Sequence, residues 1–176
     1  MNEIIIGFSR PKAWLEPFSW LIRLITWSSF SHAYIRFYDT EYNRWLIFQA
    51  SGAKVNFIGM TMFDGLENIY EEFNVPISDL TKKVVVQSAI DICGSPYGVG
   101  QIIGFGWVLL ARLFGKKVKN PFASNSSFVC SELVAEILIE IDKEDSGTLD
   151  PSTMSPQDLY NFMIEKGYQP VKSVSA

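Results

Sequence analysis

Histidine and cysteine, which often carry nucleophilic and metal chemistry, are scarce in this chain. Its 176 residues include one histidine, His32, and two cysteines, Cys93 and Cys130. Two cysteines form at most one disulfide, which excludes the cysteine-rich framework of small secreted domains. No CxxC or HxxxH spacing occurs, and structural zinc needs a full set of such ligands. We therefore predict no metal site and no cofactor, and any imidazole chemistry must use His32.

Basic charge is also low. The 15 lysine and arginine residues are outnumbered by 19 aspartate and glutamate residues, which leaves a net charge of -4. Binding to nucleic acid through bulk charge depends on neutralising phosphates, so we expect no nucleic-acid partner. The glycines between residues 94 and 104 fit neither the dinucleotide nor the P-loop spacing, so no phosphate-binding loop is predicted.

A signal peptide is not evident either. The first residues lack a basic segment and their apolar run is short, so they indicate an opening β-strand. A cytoplasmic location is expected, while export without a cleaved signal stays open. The longest stretch without charge, residues 92–111, approaches the roughly 20 residues of a membrane span but contains five glycines and Pro96. It favours a buried or membrane-touching helix over about residues 99–114.

Apolar residues, in contrast, are plentiful. Hydrophobic residues make up 48% of the chain and charged residues 19%, which supplies a sizeable core and excludes intrinsic disorder. The length fits a single domain over residues 1–176. The order of strand-like and helix-like periods indicates an α+β domain. The predicted strands are residues 1–8, 31–38, 45–50 and 54–58, and helices are predicted within residues 11–28, 80–93 and 99–114, after residue 127 and after residue 155.

Two of these helices carry predicted caps. Ser126 or Ser127 would cap the helix that contains Cys130, because a serine hydroxyl accepts from the unpaired amides of the first turn. Ser155, followed by Pro156 at the first helical position, predicts the start of the final helix.

Cys130 falls in the first turn of its predicted helix, and this position has chemical consequences. The unpaired amides and the positive end of the helix dipole stabilise a thiolate relative to a thiol, and the Cys130 amide could also donate to an oxyanion. His32 could take the thiol proton if its strand packs beside that helix. On the neighbouring strand, Gln49 lies near the level of His32, where its amide oxygen could accept from the imidazole N–H.

A structural interpretation competes with this one. Cysteine is among the most buried residue types, and Cys130 borders an apolar helix face. A lone histidine in an aromatic strand is also more often structural, and Cys93 is interpreted as a packing residue. From the residue types alone, burial is the more common explanation for Cys130.

Five short segments are distinctive when taken together. They are FSHAYI at residues 30–35, QA at 49–50, GSPYG at 94–98, FVCSELV at 128–134 and SPQDL at 155–159. In order and spacing they resemble the permuted NlpC-type papain-like cysteine hydrolases, which include the YiiX-like bacterial proteins and the lecithin:retinol acyltransferase relatives. The permuted order, histidine before cysteine, extends from residue 4 to residue 168. The resemblance favours a catalytic pair of Cys130 and His32.

The resemblance implies a circularly permuted papain-like α+β fold, with an antiparallel half-barrel sheet packed on the helix that starts at the cysteine. It also implies thiol attack on an amide or ester bond through an acyl-enzyme. Cys130 would be the nucleophile, His32 the general base and then acid, and Gln49 the orienting residue. Gln49 replaces the usual glutamate, which weakens support for an imidazolium, and Gly98 replaces the usual aspartate.

Three further residues are predicted to bind substrate. Tyr97 occupies a turn that the family places near the site, although a packing role fits it equally well. Ser31 and Ser131 adjoin His32 and Cys130 in their motifs.

The predicted substrate is a peptide, an isopeptide, a peptidoglycan fragment or a lipid acyl group. The aromatic residues from Trp14 to Trp27 and the apolar residues 105–110 before a basic segment are typical of an interfacial membrane element, with core packing as the competing explanation. The lack of an evident cleaved signal argues against routine work on the cell wall, unless the chain is released by lysis or is phage-encoded. Two other functions stay open: an acyltransferase with the same dyad, and a non-catalytic binding module of the same fold.

Overall fold

The computed structural model describes residues 3–13, 16–51, 54–98, 129–142 and 149–171, together with residues 100, 104, 107–108, 111, 114–116, 118–119 and 121. The strands are β1 (Glu3–Pro11), β2 (His32–Asp39), β3 (Arg44–Ser51), β4 (Lys54–Gly59), β5 (Glu67–Pro76) and β6 (Gln169–Pro170). The helices are α1 (Pro17–Thr26), α2 (Met60–Leu66), α3 (Asp79–Ile92), α4 (Cys130–Ile141) and α5 (Pro156–Glu165), with a 3-10 turn at Pro151–Thr153.

The strands form one open sheet in the order β4-β3-β2-β1-β5-β6. Every neighbouring pair is antiparallel. A short connection joins β2 to β3, and Asn43 adopts a left-handed φ of 50° within it. Such a conformation suits asparagine because its short polar side chain tolerates this region. The predicted α+β class is confirmed, with helices packed on an antiparallel sheet.

Alternation along the strands gives the sheet two different faces. The main core lies on one face, where β1 and β2 pack against α3, α4 and α5. Its most buried members include Ile4, Ile6, Phe8, Ala33, Ile35, Val85, Ala89, Leu133, Leu138, Leu159 and Met163. The opposite face carries a smaller cluster of Tyr34, Ile47 and Phe63, the last from α2. His32 and Gln49 lie at the margin of this second face.

The helix starts differ in how well the sequence predicted them. Ser155 caps α5 as predicted, since its hydroxyl accepts from the Asp158 amide at 3.0 Å and Pro156 follows it. The prediction that Ser126 or Ser127 caps the cysteine helix is wrong, because α4 begins at Cys130. Both serines lie outside the described residues. The N-cap position of α4 is Val129, and the Glu132 carboxylate reaches back to accept from the Val129 amide at 3.3 Å.

Two regions depart from the predicted elements. No element was predicted within residues 59–79, where the structure has α2 (Met60–Leu66) and β5 (Glu67–Pro76). Most of the predicted helix at 99–114 lies outside the described residues; of those described there, Val108 and Ala111 are buried, whereas Trp107 and Phe114 are exposed. Among the helices that the structure describes, none has the length and apolar content needed to cross a membrane.

Gly7 lies between Tyr34 and Glu72 in the register of three adjacent strands. The Tyr34 ring crosses over Gly7, so that its hydroxyl donates to Glu72 Oε1 at 2.8 Å. A Cβ added at Gly7 would lie 2.2 Å from Tyr34 Cζ. The ring would then have to move, and this hydrogen bond would be lost.

We predict that Gly7→Ala lowers the free energy of unfolding by about 3 kcal/mol through overpacking and the lost hydrogen bond. Urea denaturation followed by tryptophan fluorescence measures the change. Gly65→Ala is the matched control, because a Cβ built there has no heavy atom within 4 Å. Equal unfolding energies for the two variants would contradict this account of the Tyr34 ring.

Candidate active site

The candidate nucleophile lies where α4 meets the start of β2. Cys130 is the first residue of α4 and is 2% exposed. Its thiol donates to the Ser31 carbonyl over 3.8 Å, and the backbone N–H of Ala33 also hydrogen-bonds to the sulfur. The sulfur therefore contacts the peptide groups on both sides of His32.

The side-chain amides of Gln49 on β3 and Asn56 on β4 orient His32, the first residue of β2. Its Nε2 lies 2.8 Å from Gln49 Oε1. The Gln49 amide nitrogen donates in turn to Asn56 Oδ1 over 3.4 Å, so the Gln49 oxygen faces the ring. The neutral imidazole then carries its proton on Nε2, and Nδ1 remains a proton acceptor. The predicted contact between Gln49 and His32 is confirmed.

The His32 ring and the Cys130 sulfur contact different neighbours. The ladder between β2 and β3 begins only at Ile35, so His32 lies beyond its paired part. The His32 ring neighbours Tyr34 and Phe63, with ring centroids 6.3 and 6.5 Å away, whereas α4 packs on the opposite face. Among the described residues, the hydrogen-bond partners of Cys130 do not include the imidazole.

Burial determines the protonation state of both groups. Loss of hydration lowers the pKa of His32 to about 4, against a smaller opposing effect of the Gln49 hydrogen bond. Burial also raises the pKa of the Cys130 thiol, although hydrogen bonds from the Ala33 amide and the Tyr97 hydroxyl lower it. The effect of burial therefore outweighs the predicted stabilisation of a thiolate by the helix terminus. At pH 7 the resting pair is a thiol and a neutral imidazole.

Two neighbouring cavities adjoin these groups. The first, of about 330 Å³, is lined by Ile22, Tyr97, Val129, Cys130, Ser131, Met154 and Pro156. The second, of about 540 Å³, is lined by Pro11, Glu16, Ser19, Ile22, Ser31, His32, Ala50, Ser51, Glu67 and Tyr97. Tyr97 and Ile22 line both, so they form a wall common to the thiol cavity and the imidazole cavity.

The three residues predicted to bind substrate all line these cavities. Tyr97 faces the thiol, and burial followed by its proximity to Cys130 raises the pKa of its hydroxyl. The Ser131 hydroxyl donates to the Met154 carbonyl at 2.7 Å and so attaches α4 to the segment before α5. The Ser31 hydroxyl lies 2.6 Å from that of Ser19 in α1. The two serine hydroxyls thus hold neighbouring elements together.

Helix α1 covers the site. Its Ser19 and Ile22 face the cavities, whereas Trp20, Leu24 and Trp27 are exposed to solvent. These exposed residues belong to the segment predicted as an interfacial element, and contact with a membrane stays a prediction. Trp14, included in that prediction, lies outside the described residues.

Two residues of the site, Asn56 and Glu67, were not predicted from the sequence. Asn56 pairs directly with Gln49 in the register of β3 and β4, and this contact could have been inferred from the predicted hairpin. Glu67 lines the imidazole cavity and accepts from the Ser9 hydroxyl at 2.9 Å. Burial raises the pKa of Glu67 to about 7. It lies in the region where no element was predicted.

We predict that the imidazole of His32 titrates near pH 4 and holds its neutral proton on Nε2. Because the chain has one histidine, NMR of labelled imidazole reports this residue without assignment. The unfolded chain binds more protons between about pH 4 and 6.5, so His32 makes stability rise with pH across that window. Titration near pH 6.5 in the folded protein would contradict the inferred burial.

We also predict that Gln49→Glu raises the pKa of His32 by roughly one unit or more, because an adjacent carboxylate favours the imidazolium. The same NMR titration measures the shift. Gln169→Glu makes the same charge change at an exposed position of β6 and should leave the His32 pKa unchanged. Equal shifts in the two variants would mean that Gln49 does not contact the ring in solution.

Comparison with known proteins identifies a shared fold. No protein-family model and no curated protein match the chain. Among solved structures, YiiX from Escherichia coli O157:H7, described as a metalloprotein of DUF1105, matches with a TM-score of 0.58 and 16% identity. The match covers 97% of this chain and 95% of that chain.

Within the described ranges, no three His, Cys, Asp or Glu side chains lie together as a metal-binding group, so these residues do not fit a bound metal. The chain has a YiiX-like α+β fold.

Proposed function

We propose that the protein is a thiol hydrolase of permuted papain-like architecture that cleaves an amide or ester bond. The observation that carries the proposal is the position of Cys130 at the start of α4. There its sulfur contacts the peptide groups flanking His32. Gln49 meanwhile holds the imidazole with Nδ1 available as a base.

At rest the thiol hydrogen-bonds to the Ser31 carbonyl and not to the imidazole. In the proposed reaction the Cys130 side chain first rotates away from that carbonyl and then donates its proton to His32 Nδ1. Its sulfur attacks the substrate carbonyl carbon, a C–S bond forms, and the carbonyl oxygen becomes an oxyanion. The backbone N–H of Cys130 is the candidate donor to that oxyanion. Because both groups are neutral at rest, proton transfer accompanies attack and does not precede it.

Collapse of the oxyanion breaks the bond to the leaving group, which takes the proton from the imidazolium and departs as an amine or alcohol. The acyl group remains on Cys130 as a thioester. Water then attacks this thioester while His32 takes its proton, and the thiol returns with release of the carboxylic acid. Gln49 holds the ring through both steps by accepting from Nε2–H.

The cavity lining favours an acyl group with an apolar portion. Ile22, Val129, Met154 and Pro156 surround the thiol. A lipid acyl chain, or an acyl portion from a peptide, isopeptide or peptidoglycan fragment, supplies such a group. If an amine or alcohol captured the thioester in place of water, the same dyad would act as an acyltransferase. If no thioester formed, the remaining hypothesis would be a binding module.

We predict that p-nitrophenyl butyrate places one butyryl group on Cys130, detected by intact mass and peptide mapping. Cys130→Ser should reduce nitrophenol release roughly a thousandfold or more, as for other nucleophile replacements. Cys93→Ser is the matched control and should keep full activity, since Cys93 is exposed and lines neither cavity. Acylation confined to Cys93, or equal losses in the two variants, would overturn the proposal.

The pH profile of the same reaction tests the role of His32. Acylation needs a neutral imidazole, so the rate should fall as pH drops through about 4 and should not fall at 6.5. Adding glycine methyl ester during turnover distinguishes transfer from hydrolysis, because an acyltransferase yields the N-butyryl product. A rate that is independent of pH down to pH 3 would remove His32 from the mechanism.

A further inference from the structure

A third cleft, of about 530 Å³, adjoins the imidazole cavity. The two spaces share Pro11, Glu16 and Ser19. The rest of the cleft is lined by Arg10, Lys12, Ala13, Arg23 and Asn68. It is thus contiguous with the space that contains His32 and is built from the end of β1 and the inner side of α1.

Three cations and the carboxylate of Glu16 line this cleft, and none of the three cations forms an ion pair among the described residues. In the part of the chain that the structure describes, the ion pair within contact distance is Arg36 with Glu72. Lys12 donates to the Asp64 backbone carbonyl, which fixes its ammonium at the cleft without neutralising it. The excess of positive charge around this concave surface attracts an anion.

Arg23 supplies a second, independent observation. Its Nε is buried and has no hydrogen-bond partner among the described residues. Buried donors in folded proteins nearly always have a protein, water or ion partner. A guanidinium binds carboxylate and phosphate oxygens through two parallel N–H groups, one of which is commonly Nε–H. The Arg23 side chain lines the cleft, and its Nε–H lacks an acceptor among the described residues.

We propose that this cationic cleft binds an anionic oxygen group, a carboxylate or a phosphate, carried by the acyl substrate. The inference rests on the proposed function, because it assigns the cleft to the substrate of the Cys130 reaction. Arg23 and Arg10 hold the anion, and Ser19 and Asn68 add polar contacts. The described lining of the imidazole cavity holds no lysine or arginine, so the uncharged carbonyl of the substrate enters that cavity.

Binding of three soluble probes to the full chain tests the cleft directly. Calorimetric titration with N-acetylalanine, glycerol 3-phosphate and inorganic phosphate separates a peptide-type carboxylate, a lipid-headgroup-type phosphate and the free ion. Arg23→Gln should weaken the tightest probe roughly ten- to hundredfold, as expected for loss of a charged hydrogen bond. Arg10→Gln, at an exposed position of β1, gives the same test if Arg23→Gln unfolds.

Arg44→Gln is the matched control, since it removes the same charge at an exposed position outside the cleft. It should leave binding unchanged. The probe that binds should also inhibit p-nitrophenyl butyrate acylation competitively, and Arg23→Gln should remove this inhibition. Three results would each overturn the inference. They are no probe binding to the wild type, equal probe binding to Arg23→Gln and Arg44→Gln, and probe binding that has no effect on acylation. If the wild type binds an anion but is never acylated, the proposed function fails while the anion site stands.

Discussion

The candidate site depends on the contact between the first turn of α4 and the start of β2. Leu133 and Val134 of α4 pack with Ala33 and Ile35 of β2 in the main core. This packing brings the Cys130 sulfur to the Ser31 carbonyl, although the two residues are far apart along the chain. Burial of these apolar side chains drives the packing of α4 on β2. The packing fixes the position of the sulfur, and its polar contacts follow from that position.

Part of this arrangement could be predicted from the sequence, because it reflects local pattern. Alternation in β2 separates His32 from Ala33, and the hairpin to β3 brings Gln49 near the ring. Ser155 and Pro156 mark a helix start through chemistry confined to a few residues. In each case the deciding interaction lies within one element or between adjacent strands.

The remainder depends on contacts between distant segments. Val129 occupies the N-cap position of α4, where a serine was expected, because the Glu132 carboxylate satisfies the Val129 amide from inside the helix. β5 shows little alternation of buried and exposed residues, and its position is fixed by pairing with β1. The raised pKa of the Cys130 thiol was also not predicted. Its main cause is burial, which depends on how the whole protein packs and not on the position of Cys130 in the helix.

The carboxyl groups of Glu16 and Glu67 line the imidazole cavity together with His32, and the raised pKa of Glu67 has a consequence for the charge of the cavity. Burial lowers the pKa of His32 to about 4 and raises that of Glu67 to about 7. Across the neutral range the ring stays uncharged, while the carboxyl group of Glu67 passes from acid to anion. Protonation of Glu67 therefore lowers the negative charge around this cavity near neutrality, and a small rise in acidity makes the cavity less repulsive to an anion.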